Sequence, residues 1–329
     1  MGLFKKFGWL ALALLLFAGI ASCKEEEEET VSSESMVGSV KFDIPYYVLK
    51  GETVTMSASG IDFPKDVTYR WYVTGVYTDS LATNPVSVRF PDSLGTFKVS
   101  AVSYSPGYYI VTNTQEVTTI DTTWNASFTG LNKSRQVFVD ERDGRGYRYI
   151  TLGGLDWFTQ NLFWGGTPFR ASKATASFFG SVYTWNEAMA ENICPEGWRV
   201  PTNGDWESLA AAMNNGVALP FIGNWPGLGA KASADVYLNE NRMWPYSPDN
   251  LHTNDFGWNG MPLGYCFKSD PAVSGLGEYA CWWSATEKDA THGYYRYIWY
   301  DSGDFPMSYT GKSDMRAFVR CVRTHPQSL

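Results

Sequence analysis

FGSVYTWNEAMAENICPEGWRVPTNGDWESL, residues 179–209, is the stretch that says most about the fold. Its pattern predicts two short helices, one over residues 185–192 and one that begins after Thr202 and continues to residue 213. Thr202 followed three residues later by Asp205 resembles a capping box, in which side chain and backbone exchange hydrogen bonds at a helix start. Because both helices are short, most of the fold must come from the surrounding chain.

That surrounding chain, residues 124–325, is rich in glycine and aromatic residues and has few periodic runs. Twelve of the fourteen tryptophans in the 329-residue chain lie at or after residue 124. Large rings contribute much of the burial in loop-rich folds, so four of these tryptophans are expected to form core rather than a binding stripe. The four are Trp157, Trp198, Trp282 and Trp283.

Three further blocks occur in this region: VFVDERDGRGYRYITLGGLDWFTQNL (137–162), ACWWSATE (280–287) and MRAFVRCVR (315–323). Together with the first stretch they resemble the major paralogous domain of Fibrobacter succinogenes, which is common in lipoproteins of the Bacteroidota. The resemblance covers nearly all of residues 124–325. It implies an α+β, loop-rich, C-type-lectin-like fold that is similar at WRVPT to the formylglycine-generating-enzyme superfamily.

Residues 39–120 differ in pattern and predict an all-β domain. Short runs rich in Val, Tyr and Thr are separated by Gly and Pro. We expect strands over residues 40–49, 52–59, 67–74, 86–90, 96–103 and 108–118. The segments YRWYVTG and SLGTFKVSAVSY resemble a PKD-type or related Ig-like module, which implies a β-sandwich spacer with Trp71 in its core.

The N-terminal residues have the three parts of an export signal. Lys5 and Lys6 precede an uncharged apolar run over residues 9–20, which is too short to span a bilayer. Ala21 and Ser22 then precede Cys23, and the whole resembles a bacterial lipoprotein signal. It implies a signal peptide over residues 1–22 and a lipid bilayer as partner, through acyl chains such as palmitate on Cys23. An ordinary cleaved secretion signal is the alternative.

Residues 23–38 are predicted to be a lipidated, acidic, flexible stalk. The acidic run Glu25 to Glu29 resembles the surface-export signal of Bacteroidota lipoproteins, although a solvated tether would have the same composition. The expected location is the outer membrane, with the folded part exposed at the cell surface. The formal charge is −8, and without the signal peptide it is −10. Nucleic acid is therefore an unfavourable partner, since phosphate binding needs clustered cations.

Four cysteines remain in the exported chain: Cys194, Cys266, Cys281 and Cys321. An even count in an oxidising compartment predicts two disulfides, and four cysteines allow three pairings. No two of them have the C-x₂-C spacing of zinc sites. The lectin-like resemblance implies a disulfide between Cys194 and Cys321, which leaves Cys266 to pair with Cys281.

The sequence has no strong signature of catalysis. The three histidines form no H-E-x-x-H motif, and the common nucleotide and hydrolase fingerprints are missing. Cys266 and Cys281 do not have the spacing of the reactive pair in formylglycine-generating enzymes. Five carboxylates could act in glycosidase-like pairs, but a solvated surface is the simpler interpretation. They are Asp156, Asp205, Glu207, Asp249 and Asp255.

The calcium site of sugar-binding lectins is only partly matched. Pro248-Asp249-Asn250 and Trp258-Asn259-Gly260 occupy the expected order, but residue 260 lacks the carboxylate and the first triplet lacks Glu or Gln. We therefore predict no metal and no cofactor.

Three functions are compatible with these patterns. The first is a non-enzymatic surface module that binds a glycan or a surface protein, with exposed rings that stack on sugars. The second is a structural or adhesin accessory of a fimbria-like assembly, and the third is a divergent enzyme. The candidate ligand-binding residues are Trp225, Trp244, Tyr246 and Trp258.

Overall fold

The computed structural model describes residues 33–121, 128–132, 134, 136–169, 176–267 and 273–326. Strands make up 46% and helices 8% of the structure, so the fold is β-rich. The predicted signal peptide, the lipidation site Cys23 and most of the predicted stalk lie outside the described residues. Within the described ranges, no helix is long and apolar enough to span a bilayer.

The first part of the chain is built from strands in three sheets. The strands are β1 (Glu34–Ser35), β2 (Val37–Asp43), β3 (Tyr47–Leu49), β4 (Thr53–Phe63), β5 (Thr68–Val73), β6 (Val86–Arg89), β7 (Gly95–Tyr104), β8 (Tyr108–Tyr109) and β9 (Val111–Ile120). One large sheet has the order β3–β9–β7–β5, with β3 parallel to β9, and the other has the order β2–β4–β6. Strands β1 and β8 form a small parallel pair.

One hydrophobic core joins the two large sheets of this part. Trp71 and Val73 on β5 are buried, and they share a cluster with Val88 on β6, Val99 on β7 and Val117 on β9. Alternate residues of a strand point to opposite faces, so the intervening residues face solvent. The predicted β character of this segment and the buried position of Trp71 are confirmed.

The second part combines short strands with four short helices in the described residues. The helices are α1 (Ala176–Phe179), α2 (Trp185–Ala188), α3 (Asn203–Met213) and α4 (Leu228–Ala232). The strands up to residue 242 are β10 (Phe128–Thr129), β11 (Val137–Asp140), β12 (Arg145–Leu152), β13 (Leu155–Phe158), β14 (Thr167–Pro168), β15 (Ser181–Val182), β16 (Tyr237–Leu238) and β17 (Asn241–Arg242). The later strands are β18 (Tyr265–Phe267), β19 (Val273–Ser274), β20 (Tyr279–Glu287), β21 (His292–Trp299), β22 (Met307–Gly311), β23 (Met315–Arg316) and β24 (Val322–Thr324).

The longest strands of this part, β12, β20 and β21, lie in two antiparallel sheets. Strand β24 returns from the end of the chain to complete the antiparallel sheet β11–β12–β13–β24, and β20–β21–β22 form a second antiparallel sheet. Helix α3 begins as predicted, with both capping-box bonds between Thr202 and Asp205. Helix α2 ends at Ala188, four residues before the predicted end, and Asn192 has a φ of +59° that no α-helix accommodates.

The hydrophobic interior of the second part divides into two clusters. We call them the first core cluster, which contains Trp157, Trp206, Trp258 and Trp282, and the second core cluster, which contains Phe158, Trp198, Trp283 and Val319. All four tryptophans predicted to form core are buried, and the prediction is confirmed. Rings therefore fill the space between elements too short to pack as regular layers.

Cys194 and Cys321 form a disulfide with their Cα atoms 5.9 Å apart. It joins the CPEGW segment to the residue before β24, and it is the pairing that the family resemblance implies. The predicted disulfide between Cys266 and Cys281 is wrong, because both are buried thiols. Cys266, on β18, packs in the first core cluster, whereas Cys281, on β20, packs in the second.

The two parts of the chain share core residues. Tyr47 on β3 stacks on Phe179 with ring centroids 4.3 Å apart, and Ile120 at the end of β9 is fully buried in the first core cluster. The amide Nδ2 of Asn239 donates to the carbonyl oxygen of Thr119 at 2.7 Å. The junction therefore holds β3 and β9 against the second part through both packing and a hydrogen bond.

Candidate functional site

A cleft lies at this junction, between the outer face of β7 and β9 and the β16–β17 hairpin. Its volume is about 460 Å³, within the range of about 300–1,000 Å³ typical of small-molecule sites. The residues that line it from the first part are Tyr47, Thr96, Lys98, Glu116 and Thr118. From the second part, the polar lining residues are Asn241 and Arg242.

The register of β7 and β9 creates the first wall of the cleft. Thr96 lies opposite Thr118, and Lys98 lies opposite Glu116. The hydroxyls of Thr96 and Thr118 are 3.0 Å apart, so they form a hydrogen-bonded pair on the outer face. The wall thus offers hydroxyl groups and charges of both signs within two residue steps along the strands.

The β16–β17 hairpin creates the second wall. Its two turn residues, Asn239 and Glu240, both have positive φ, +48° and +67°, as a type I′ turn requires. Arg242 donates from Nε to Asp235 Oδ1 at 2.6 Å, which fixes its side chain. The guanidinium carbon of Arg242 lies 5.8 Å from the ring centroid of Tyr246, so this ring stands next to the cleft.

Of the four predicted ligand-binding rings, only Tyr246 is exposed. Its side chain is 75% accessible, while Trp225, Trp244 and Trp258 are buried. The prediction that these three tryptophans are surface rings is therefore wrong. The long segment that carries them has no periodic pattern, and its rings turn inward to supply the core that regular elements do not.

Each buried tryptophan has a specific packing role. Trp225 lies under the guanidinium group of Arg296, with the guanidinium carbon 3.0 Å from the ring centroid. Trp244 stacks on the His252 ring at 4.5 Å. Trp258 lies in the first core cluster, 4.6 Å from the ring of Trp282.

The two triplets that partly match a lectin calcium site serve the fold. Asn250 is fully buried and donates to the carbonyl oxygens of Trp299 and Ser302. Asn259 accepts from the backbone of Asn132 and from the side chain of Asn254. The described residues contain no cluster of three His, Cys, Asp or Glu side chains that could hold a metal.

Two of the five candidate carboxylates are buried and form ion pairs with partly exposed cations. Asp156 is fully buried and accepts from Thr151, Arg323 and His325 at 2.7, 2.9 and 2.7 Å. Burial alone would raise the pKa of Asp156, but these hydrogen bonds outweigh it and hold the pKa below its usual range. Sheet register explains the arrangement, since Asp156 pairs with both Thr151 and Arg323.

Of the other four carboxylates, two are held by hydrogen bonds and two are exposed. Asp205 caps α3 and forms an ion pair with Arg199, and the resulting hydrogen bonds lower its pKa against the opposing effect of burial. Glu207 accepts from the backbone amide of Phe221 at 2.6 Å. Asp249 and Asp255 are exposed. These hydrogen bonds thus assign structural roles to Asp156, Asp205 and Glu207.

His252 is a buried titratable group close to the cleft wall. Its Nδ1 lies 2.8 Å from the Ser233 hydroxyl, which itself donates to the carbonyl oxygen of Gly229. Ser233 therefore accepts from Nδ1, and Nε2 has no partner among the described residues. Burial, aided by the nearby charge of Arg242, lowers the pKa of His252 to about 4.

We expect this histidine to destabilise the fold under mild acid. The unfolded state takes up a proton near pH 6.5 and the folded state only near pH 4, so stability is lost as the pH falls through this interval. The loss should reach about 3 kcal/mol in free energy of unfolding. His252→Asn should remove this pH dependence, because asparagine tolerates the φ of +48° at this position. Urea unfolding across the interval checks this, and an equal loss in both proteins would contradict it.

A second cavity, also about 460 Å³, lies beside the CPEGW segment. Arg142 contacts the loop that lines this cavity and donates hydrogen bonds to the carbonyl oxygens of Asn192 and Ile193. Its guanidinium carbon lies 4.6 Å from the ring centroid of Trp164. These interactions tie the loop before the disulfide to the turn after β11. Fewer polar and charged side chains line this cavity than line the cleft at the junction.

Sequence reasoning missed most of the residues that line the cleft. The available signal was the alternation of polar side chains along β7 and β9, which exposes Thr96 and Lys98 on one strand and Glu116 on the other. That alternation shows which face is polar, but only the docking of the second part shows that the face is one wall of a cleft.

The chain matches a known protein family over most of its second part. The family model described as Fibrobacter succinogenes major domain matches residues 111–323. The match covers more than half of the chain, and the chain belongs to this family. The matched region begins in β9, whereas the aromatic-rich segment begins only at residue 124. A search of curated proteins finds no matching relative.

Proposed function

We propose that this member of the Fibrobacter succinogenes major domain family is a non-enzymatic surface lipoprotein that binds a glycan in the cleft at the junction of its two parts. The observation that carries the proposal is the exposed ring of Tyr246 beside a polar cleft of ligand size. The cleft combines hydroxyl, amide and charged groups, which match the hydroxyl-rich surface of a sugar. The tyrosine ring supplies the apolar face on which a sugar ring can stack.

The overall architecture in this proposal is an Ig-like β-sandwich over residues 39–120, followed by a C-type-lectin-like domain over residues 124–325. Two sheets around Trp71 support the sandwich. The disulfide from the CPEGW segment to the residue before β24 supports the lectin-like domain. In this arrangement the sandwich is more than a spacer, because it supplies one wall of the binding cleft.

The cellular setting follows from the N-terminal sequence. An acylated Cys23 would fix the chain to the outer membrane, and several acyl chains would hold it firmly, at about 0.8 kcal/mol for each buried CH₂. The acidic residues after Cys23 support exposure at the cell surface. A lipid-anchored protein with an open cleft is suited to retaining glycans close to the cell.

The walls of the cleft are held in place by hydrogen bonds, which supports ligand binding. The Asn239 side chain fastens the hairpin to β9, and Asp235 fixes Arg242. Walls held in place before binding lose little conformational entropy when a ligand enters. The cleft is therefore preorganised for a ligand of one shape.

We expect Tyr246→Ala to weaken glycan binding about 2- to 10-fold, since one ring contact contributes about 0.5–1.5 kcal/mol. The measurement is a glycan array followed by titration calorimetry on the best ligand. Tyr109→Ala is the matched control, because Tyr109 is 63% exposed and lies on β8, away from the cleft. Equal weakening by both substitutions would contradict the assigned site.

The competing function is that of a structural accessory of a surface assembly. Silence across the array, together with recovery of surface proteins in a pull-down, would favour it. Turnover of a glycan on the array would instead favour the enzyme hypothesis.

A further inference from the structure

Four large apolar side chains are exposed together at one end of the first part. Val37 is 57% exposed, Phe63 50%, Tyr109 63% and Ile110 56%. We call this set the N-terminal apolar patch. Scattered apolar residues on a surface are ordinary, but several that cluster at one end of a domain indicate an interaction surface.

Strand pairing brings the four residues together. Val37 lies directly opposite Phe63 in the β2–β4 ladder. The Phe63 ring contacts the Tyr108 ring edge-on, with centroids 5.8 Å apart, and Tyr109 and Ile110 follow directly in the chain. Tyr109 follows Tyr108 on β8 and points to the opposite face of that strand, so the four residues surround one end of the first part.

The patch lies beside the point at which the described chain begins. Glu34 pairs with Tyr108 and Ser35 pairs with Tyr109, so β1 runs along the strand that carries part of the patch. Cys23 precedes Ser33 by ten residues, which can span at most about 36 Å. An acyl anchor at Cys23 therefore keeps the patch within reach of the bilayer.

We propose that the N-terminal apolar patch rests on the membrane surface and inserts its side chains into the interface between headgroups and acyl chains. This inference depends on the lipid anchor in the proposed function. Tyrosine favours that interface, because its ring is apolar and its hydroxyl stays hydrated, and the other three side chains contribute apolar surface. The anchor makes weak contacts effective, because it raises the local concentration of lipid around the patch.

The charges around the patch indicate which lipids it contacts. Glu34 on β1, and Asp62 and Asp66 at the end of β4 and just beyond it, are exposed and acidic. Lys65 and Arg70 are cations of the same region, with the Arg70 guanidinium carbon 5.1 Å from the Tyr104 ring centroid. Anionic headgroups would be repelled by this balance of charge. The surface therefore suits zwitterionic lipids such as phosphatidylethanolamine.

Contact at this patch would orient the binding cleft. Strand β7 runs from Thr96 in the cleft to Tyr104 near the patch, a span of about 26 Å at 3.3 Å per residue. Strand β9 runs the opposite way between the same two ends. With the patch on the bilayer, the cleft is held away from it and faces the ligand.

The test couples the chain from Cys23 onward to a maleimide phospholipid in zwitterionic vesicles, which provides an anchor whether or not the native chain is acylated. Cys266 and Cys281 are buried, so the maleimide reacts at Cys23. A tryptophan is introduced by Ile110→Trp, or by Tyr109→Trp as a second variant. The matched control is Ile222→Trp, since Ile222 is 61% exposed and lies in the second part.

We expect brominated lipids to quench the added fluorescence at positions 110 and 109 but not at 222. Bromine atoms near the top of the acyl chains match the depth of about 5–10 Å at which interfacial side chains lie. Equal quenching at all positions, or none at 109 and 110, would overturn the proposal. The mass of the N-terminal peptide from native material tests the anchor separately.

Discussion

Removal of the Cys194–Cys321 disulfide should lower the free energy of unfolding by about 5 kcal/mol. The bond joins residues 127 positions apart, and in the chain-entropy model a loop of this length restricts the unfolded chain by about that amount. Many single domains have a total stability of only about 5–15 kcal/mol. The double substitution Cys194→Ala with Cys321→Ala is therefore expected to leave the protein close to its unfolding threshold.

Denaturant unfolding with and without a reducing agent measures this effect. The reductant should destabilise the unchanged protein and leave the double variant unaffected, because the variant has no disulfide to lose. Alkylation of the unfolded, unreduced chain should modify Cys266 and Cys281 but neither partner of the disulfide. Protection of Cys266 and Cys281 in that experiment would mean that a second disulfide forms.

Arg320→Met is expected to cost about 3–5 kcal/mol in free energy of unfolding. The Arg320 side chain is fully buried and donates to the carbonyl oxygens of Trp258 and Asn259 and to the side-chain oxygen of Asn161. Methionine has a similar length but no donor, so the carbonyl oxygens of Trp258 and Asn259 lose this partner, and Asn161 Oδ1 keeps only its bond from Trp282 Nε1. The cost is comparable to that of breaking a buried charged network.

The charge on Arg320 survives its burial. Desolvation lowers the pKa of Arg320 to about 9, which still leaves the guanidinium protonated at neutral pH. Its carbon lies 4.0 Å from the Trp258 ring centroid and 5.2 Å from that of Trp282, so the two rings add cation–π stabilisation. The neutral oxygens and the rings together replace the water that the cation has lost.

Arg89→Met is the control for this substitution. Arg89 is exposed and its ion pair with Asp92 is at the surface, so its loss should change stability by less than about 0.5 kcal/mol. Thermal and urea unfolding of both variants provide the comparison. Similar stabilities for the two variants would show that Arg320 contributes packing alone.

Local sequence patterns predicted the elements whose partners are close in the chain. Short runs rich in Val, Tyr and Thr located most strands of the first part, and Trp71 falls on their buried face. They missed β1 and the break between β2 and β3. Thr202 and Asp205 predicted the start of α3 because a cap is formed by residues three positions apart. The family blocks predicted the second part, and the family match confirms that assignment.

Features that depend on distant pairing could not be derived in the same way. The segment with Trp225, Trp244 and Trp258 has no periodicity, so nothing in it distinguishes an inward ring from an outward one. Whether Cys266 and Cys281 meet depends on which strands pair with β18 and β20. The cleft could not be derived from the sequence either, because its two walls come from separate parts of the chain.

The burial of Tyr47 and Ile120 among side chains of the second part has a consequence for how such proteins are assembled during evolution. A second part cut away at residue 124 would lose Tyr47 and Ile120 from its interior and expose Phe179 and its neighbours to water. The second part cannot simply be transplanted onto an unrelated domain; strands β3 and β9 must travel with it.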